Sequence, residues 1–212
     1  MPEIEIFGAR QSTYVRVVWM TCEEKGASYV IRPADPHSAE IRALHPFGRI
    51  PAVRHGDRVL FESKAIATYL DRIFDGPRLI PDDPYEAAVV EQWVSAVNTT
   101  VEPIWTLYFR AHVFPKGPDG QPDSKVIGGQ LEPMRHTVGV LESVLSSSEY
   151  LAGDHFSLAD IALLPALHYF HQFPESREMV AEAPALGGYY ERLRQRPSAI
   201  ATVPPPMPAR DV

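Results

Sequence analysis

The chain has 212 residues, 45% of them hydrophobic, with 20 Lys and Arg against 27 Asp and Glu and a formal net charge of −7 at pH 7. That length holds two modest domains, and an acidic balance with scattered rather than striped basic residues argues against nucleic acid and against an anionic membrane surface. Glu3 and Glu5 stand where a basic leader would precede an apolar core, so neither export nor membrane insertion is indicated and the cytoplasm is the expected compartment.

Ile4-Glu5-Ile6-Phe7 alternates as a strand, Gly8-Ala9-Arg10-Gln11 breaks it, and Ser12 stands before the apolar run Val15, Val17, Val18, Met20 and Cys22 of a helix. A hydroxyl at a helix start faces free N–H groups and the positive end of the dipole, where a thiolate is stabilised. It serves equally as an ordinary N-cap, and Thr13 competes for either role. Cys22 is the single cysteine, which excludes an internal disulfide, a C-x-x-C redox motif and a cysteine zinc site. Within that helix it reads as a small buried hydrophobe.

The most informative stretch is His45-Pro46-Phe47-Gly48-Arg49-Ile50-Pro51-Ala52-Val53, followed after a polar turn by Leu60-Phe61-Glu62-Ser63-Lys64-Ala65-Ile66. Pro51 cannot donate to a ladder, so it marks a strand entry or an edge. A cis Ile50-Pro51 bond would turn the backbone groups of Ile50 toward an extended ligand, whereas a trans bond would make it a plain loop proline. Ala52-Val53-Arg54-His55, Gly56-Asp57 and Arg58-Val59-Leu60-Phe61 read as a hairpin. Glu62-Ser63 opens a helix with Ser63 as N-cap or first-turn residue, and Ala65, Ile66, Tyr69, Leu70 and Ile73 form its apolar face. Backbone edge, carboxylate, hydroxyl and helix start together suit a small peptide-like zwitterion.

Beyond residue 75 the pattern turns helical. Residues 76–85 read as a Pro- and Asp-rich linker between a first domain, 1–75, and a second, 86–212. A long helix is expected over 85–112, with Pro103 kinking or splitting it, and its far half carries Trp105, Tyr108, Phe109 and His112. Residues 115–123 form a breaker-rich loop, 124–147 a helix, and Ser157-Leu158-Ala159-Asp160 a capping box before a buried helix over 161–170, which makes Asp160 structural. His155, His168 and His171 lack a carboxylate or cysteine cluster at ligand spacing, so no metal is expected. Pro204-Pro205-Pro206-Met207-Pro208 is an extended tail.

Phe7-Gly8, Ser12, Arg16-Val17, Glu23-Glu24-Lys25-Gly26, Pro46-Phe47-Gly48-Arg49-Ile50-Pro51, Glu62-Ser63 and the run from Tyr150 to Asp160 together resemble the glutathione S-transferases, closest to serine-using phi-like and bacterial members. The resemblance implies an α/β plus all-α architecture, a thioredoxin-like N-terminal domain with an all-helical C-terminal domain, usually as a homodimer. It implies glutathione as co-substrate, with Ser12 bonded to its sulfur, Ile50 and Pro51 as backbone clamp, and Glu62 and Ser63 on the γ-glutamyl end. Arg49, where the family often has glutamine or lysine, and His37 would face the glycyl carboxylate. Phe47 matches the aromatic that some classes insert into a partner subunit, or is a plain core aromatic. The stripe of Trp105, Tyr108, Phe109 and His112, which by pattern alone suits a core, would line the second-substrate pocket. The implied reaction is attack of an activated thiol on a small hydrophobic electrophile. A glutathione-dependent isomerase or peroxidase, a non-catalytic glutathione or ligand carrier, and a scaffold subunit are the alternatives.

Overall fold

In the computed structural model, which describes residues 3–117 and 120–207, the alternating run Ile4–Phe7 forms strand β1 and the segment after Ser12 forms helix α1 (Thr13–Glu24). Strand β2 (Tyr29–Arg32), helix α2 (Ala39–Leu44), the hairpin β3 (Ala52–His55) and β4 (Arg58–Phe61), and helix α3 (Ser63–Ile73) follow. The sheet order is β2-β1-β3-β4, with β1 and β2 parallel and the other pairs antiparallel. Alternation sends Ile4, Ile6 and Val53 to one face, where Val15, Val18, Trp19 and Cys22 of α1 and Ile66 and Leu70 of α3 close over them. Phe7 and Ala52 point the other way and meet Ile41 of α2. This is the expected thioredoxin-like arrangement. The α3 face centres on Ile66, Ala67 and Leu70, while Ala65 lies exposed, so the apolar stripe is rotated by part of a turn from the one read in the sequence.

The chain divides into two compact units at Ile80. The second contains α4 (Pro84–Ala96), a π-helical turn Val97–Val101, α5 (Glu102–Val113), α6 (Ser124–Leu145), α7 (Leu158–Phe170), α8 (Pro174–Ala181) and α9 (Pro184–Leu193). Pro103 has no N–H to return to a carbonyl of the preceding turn. The helix accommodates it by widening just before it and then continues, so the long helix is neither ended nor split. Helix α7 is the centre of this unit: every residue but His168 is buried. Its start is held by the expected capping box. The Asp160 carboxylate accepts from Leu151 N at 2.9 Å, Ser157 N at 2.8 Å, Ser157 Oγ at 3.1 Å and Tyr189 Oη at 2.8 Å.

The helical domain expected to reach residue 212 instead ends at Arg194, and the segment from Gln195 belongs to the first unit. Its helix α10 (Pro197–Ala201) packs on α1 through charge. Arg196 makes a two-pronged contact with Glu24 at 2.9 and 3.1 Å, and the buried Arg16 donates to Ala199 O at 3.2 Å and Thr202 Oγ1 at 3.4 Å. Pro118 and Asp119 of the breaker-rich loop and Pro208 of the tail lie outside the described residues.

Candidate active site

Strand register brings the separate motifs together. Phe7 pairs with Ala52 across β1 and β3, and Ala52 pairs with Phe61 across β3 and β4, so Gly8, Pro51 and Glu62 stand side by side just beyond one end of the sheet. Because β2 runs parallel to β1, with Arg32 beside Phe7, the loop leading to His37 leaves from that same end. Gly8 is required there by space. A Cβ on it would come within 2.5 Å of Val15 Cγ2 and 3.2 Å of Ile50 Cβ, so the loop carrying Ser12 lies directly against the Ile50-Pro51 segment.

Ser12 is the N-cap of α1, and its Oγ accepts from Val15 N at 3.4 Å. A serine hydroxyl both accepts and donates, so this bond leaves its hydrogen to point at a group beyond the helix end. Thr13 is the first residue inside the helix. Gln11, next to Ser12, donates to Pro206 O at 3.3 Å, which ties the described part of the tail to this loop.

The Ile50-Pro51 bond is cis. Among the described residues, no backbone hydrogen bond engages the N–H or C=O of Ile50. Gly48 has φ +65°, and a Cβ there would meet His37 Nδ1 at 2.7 Å. His37 N donates to Gly48 O at 2.7 Å, so exposed His37 and exposed Arg49 flank one glycine. Phe47 is 69% exposed and is not a core aromatic.

Glu62 is the residue before α3 and adopts φ 67°, ψ 114°, rare for a residue with a side chain, while Ser63 is the first helical residue and is buried. The Glu62 carboxylate makes no capping bond to its own helix. His45, which the sequence offered only as the first residue of the loop, proves to be buried beside it, with Nε2 3.8 Å from Glu62 Oε1.

Two of the four aromatic candidates are buried. Trp105 donates from Nε1 to Thr137 Oγ1 at 3.0 Å and stacks on Phe170 at 4.0 Å, and Tyr108 donates to Glu175 Oε2 at 2.8 Å. Both are sealed inside the helical unit as core residues, because those buried polar tips find partners there. Phe109 and His112 remain partly exposed. Cys22 is fully buried and its thiol is pushed up to about 12 by loss of solvent and the neighbouring Glu23 charge, so it is no nucleophile.

The Ser12 loop, the Ile50-Pro51 segment and Glu62 thus gather at one end of a thioredoxin-like sheet, and a helical unit follows in the chain. Residues 6–78 match the glutathione S-transferase N-terminal domain and residues 104–197 the C-terminal domain. A probable glutathione S-transferase of Oryza sativa subsp. japonica, GSTF1, is 33% identical over 93% of this chain and 94% of its own. Among solved structures, glutathione transferase F7 from Populus trichocarpa superposes with TM-score 0.86 at 29% identity, covering 94% of this chain and 97% of that one. Glutathione S-transferase I from mais, in complex with an atrazine glutathione conjugate, superposes with TM-score 0.85 at 28% identity over 94% and 96%. The chain belongs to the glutathione S-transferase family, among relatives of the plant phi class.

Proposed function

We propose that this protein is a glutathione transferase that joins the glutathione sulfur to a small hydrophobic electrophile. The observation that carries this reading is the register: with Phe7 opposite Ala52 and Ala52 opposite Phe61, the segments of Ser12, Ile50-Pro51 and Glu62-Ser63 share one end of the sheet. Each has a chemical task for glutathione. The Ser12 hydroxyl donates to the thiolate, whose charge also favours the N-terminal end of α1. Ile50 pairs with the cysteinyl backbone as an added strand. Glu62 meets the γ-glutamyl ammonium, Ser63 and the α3 amides meet its carboxylate, and Arg49 with His37 faces the glycyl carboxylate. For the electrophile we assign Phe109 and His112, the aromatic candidates that keep solvent exposure. The reading includes a cytoplasmic homodimer, which the exposed Phe47 supports, and a detoxifying role.

Magnitudes set the division of labour. A free thiol with pKa near 8.5 is about 3% ionised at pH 7. Lowering it by about two units takes about 2.7 kcal/mol of differential stabilisation and raises the thiolate about 25-fold. A Brønsted slope of about 0.4–0.5 returns about 8-fold of that as lost nucleophilicity, so ionisation nets roughly threefold. The larger share must come from holding the electrophile in line with the sulfur.

The test is a calorimetric titration with glutathione, run beside the ultraviolet absorbance of the bound thiolate between about pH 6 and 8. Binding with thiolate visible below pH 7 is expected. Binding without thiolate would make the protein a carrier, and no binding at millimolar glutathione would sink the reading.

A further inference from the structure

His45 closes α2 and opens the loop that carries Gly48, Ile50 and Pro51. Its side chain is 2% exposed, its ring lies 4.7 Å from that of Phe61 and 6.1 Å from that of Phe47, and so it cannot turn away into solvent. Nδ1 accepts from the N–H of Phe47, two residues on, at 3.1 Å. A ring nitrogen that accepts carries no proton, so the hydrogen of this imidazole sits on Nε2. That N–H faces Glu62 Oε1 across 3.8 Å, longer than a formed hydrogen bond and within reach of one small side-chain rotation.

Glu62 needs such a partner. Its carboxylate side chain is 62% exposed, it does not cap α3, and among the described residues His45 is the basic group within ion-pair reach of it. A long acidic side chain in solvent samples several rotamers, and a ligand that requires one of them loses affinity to the ordering.

We propose that His45 is a positioning residue for glutathione: one ring nitrogen pins the Phe47 amide of the clamp loop, and the other aims the Glu62 carboxylate at the γ-glutamyl ammonium. The clamp and the carboxylate are thereby set by one buried ring. This assignment rests on the reading of Glu62 given above, and the experiment separates the two.

His45→Asn is the informative variant, because an asparagine side chain accepts from a backbone N–H two residues on, keeping the loop bond while removing the Nε2 donor. Its glutathione KM is expected to rise about 3- to 10-fold, with kcat at saturating glutathione within about twofold of the parent. A glutathione analogue lacking the γ-glutamyl amino group should bind parent and variant alike. A merely structural histidine would change both ligands together, and equal loss for the two, or an unchanged KM, overturns the proposal. Glu62→Gln is measured alongside: if it leaves glutathione affinity intact, the reading of Glu62 fails and the role of His45 with it. Should His45→Asn not fold, nitrogen NMR of histidine-labelled parent protein decides. The Nε2–H tautomer with an Nε2 shift that moves on adding glutathione supports the proposal, and an Nδ1–H tautomer in the bound state overturns it.

Discussion

At the scale of the residue, the role proposed for Ser12 and the lowered pKa of His112 and His171 each predict a pH dependence. If the Ser12 hydroxyl lowers the bound thiol by about one unit, Ser12→Ala returns that unit. With a Brønsted slope of about 0.45, kcat then falls about threefold near pH 6, and the deficit shrinks as pH rises and reverses to a gain of roughly threefold by about pH 9, where either thiol is ionised and the less stabilised thiolate is the stronger nucleophile. Glutathione affinity should stay within a few-fold. A rate profile that does not move along the pH axis shifts the role to Thr13 or to the backbone amides. The second case concerns stability. Burial lowers His112 below its ordinary 6.5 despite Glu175, and burial likewise lowers His171, aided by Arg177 and Arg194 and opposed by Glu191. Both are neutral in the fold, while the unfolded chain takes up protons near pH 6.5. Below that pH the unfolded state binds more protons, so this stability is complete above about pH 6.5 and is lost as pH falls through the folded values. His112 lies flat on Phe173 with ring centres 4.2 Å apart, so His112→Phe keeps the stack and removes the titration. Its urea midpoint should fall less between about pH 7 and 5 than the parent's; equal slopes would contradict the assignment.

At the scale of the element, legibility followed burial and turn chemistry. The hairpin was readable residue for residue because Gly56-Asp57 interrupts two short runs, and the capping box at Ser157 and Asp160 because its spacing is local. Strand β2 and helix α2 escaped: each has one buried residue, Ile31 and Ile41, too few to print a period. Helices α8, α9 and α10 also went unread, although Pro174, Pro184 and Pro197 each stand in a first turn, the position where a missing N–H costs nothing. The Trp105 and Tyr108 stripe was read correctly as apolar, but sequence cannot say which side of a helix meets its own core. No pattern announced the pair of Lys25 and Asp71 either. Lys25 Nζ lies 3.0 Å from Asp71 Oδ1 and 2.9 Å from Pro77 O, and Asp71 also accepts from the amides of Leu79 and Ile80 at 3.0 and 3.3 Å. One buried ion pair therefore fastens α1, α3 and the linker. Asp71→Ala leaves the Lys25 ammonium without its counter-charge, held by Pro77 O alone, and two amides without their acceptor in a dry place, and should cost about 3–5 kcal/mol. Lys25→Met with Asp71→Leu, which removes both charges, should recover part of that loss in denaturant titration. If Asp71→Ala unfolds at the parent's midpoint, the pair is not the fastener.

At the scale of the whole molecule, the chain leaves its first unit at Ile80 and comes back at Gln195, so a unit that looks continuous in sequence is closed by residues from the far end. Domain reading by composition missed this because helix follows helix from 84 onward with no break in character, and it is the partners of Gln11, Arg16 and Glu24 that reveal the return. The contact is polar and partly dry: Glu24 takes both prongs of Arg196 and the hydroxyl of Ser198, and Arg16 reaches Ala199 and Thr202 from the buried side of α1. Because Ser12 caps the other end of α1, the returning segment braces the helix that carries the proposed thiol partner. Ending the chain after Arg194 should therefore loosen α1 first. Amide exchange along Thr13–Glu24 is expected to quicken by roughly 10-fold or more, since a lost charge-assisted contact of about 1.4 kcal/mol already accounts for tenfold, while exchange in α7 stays close to the parent's. Arg196→Ala should reproduce a smaller part of the same effect, confined to the last turns of α1 beside Glu24. Unchanged exchange in α1 after truncation would mean that the first unit closes without its returning strand of sequence, and that residues 195–207 rest on it without holding it.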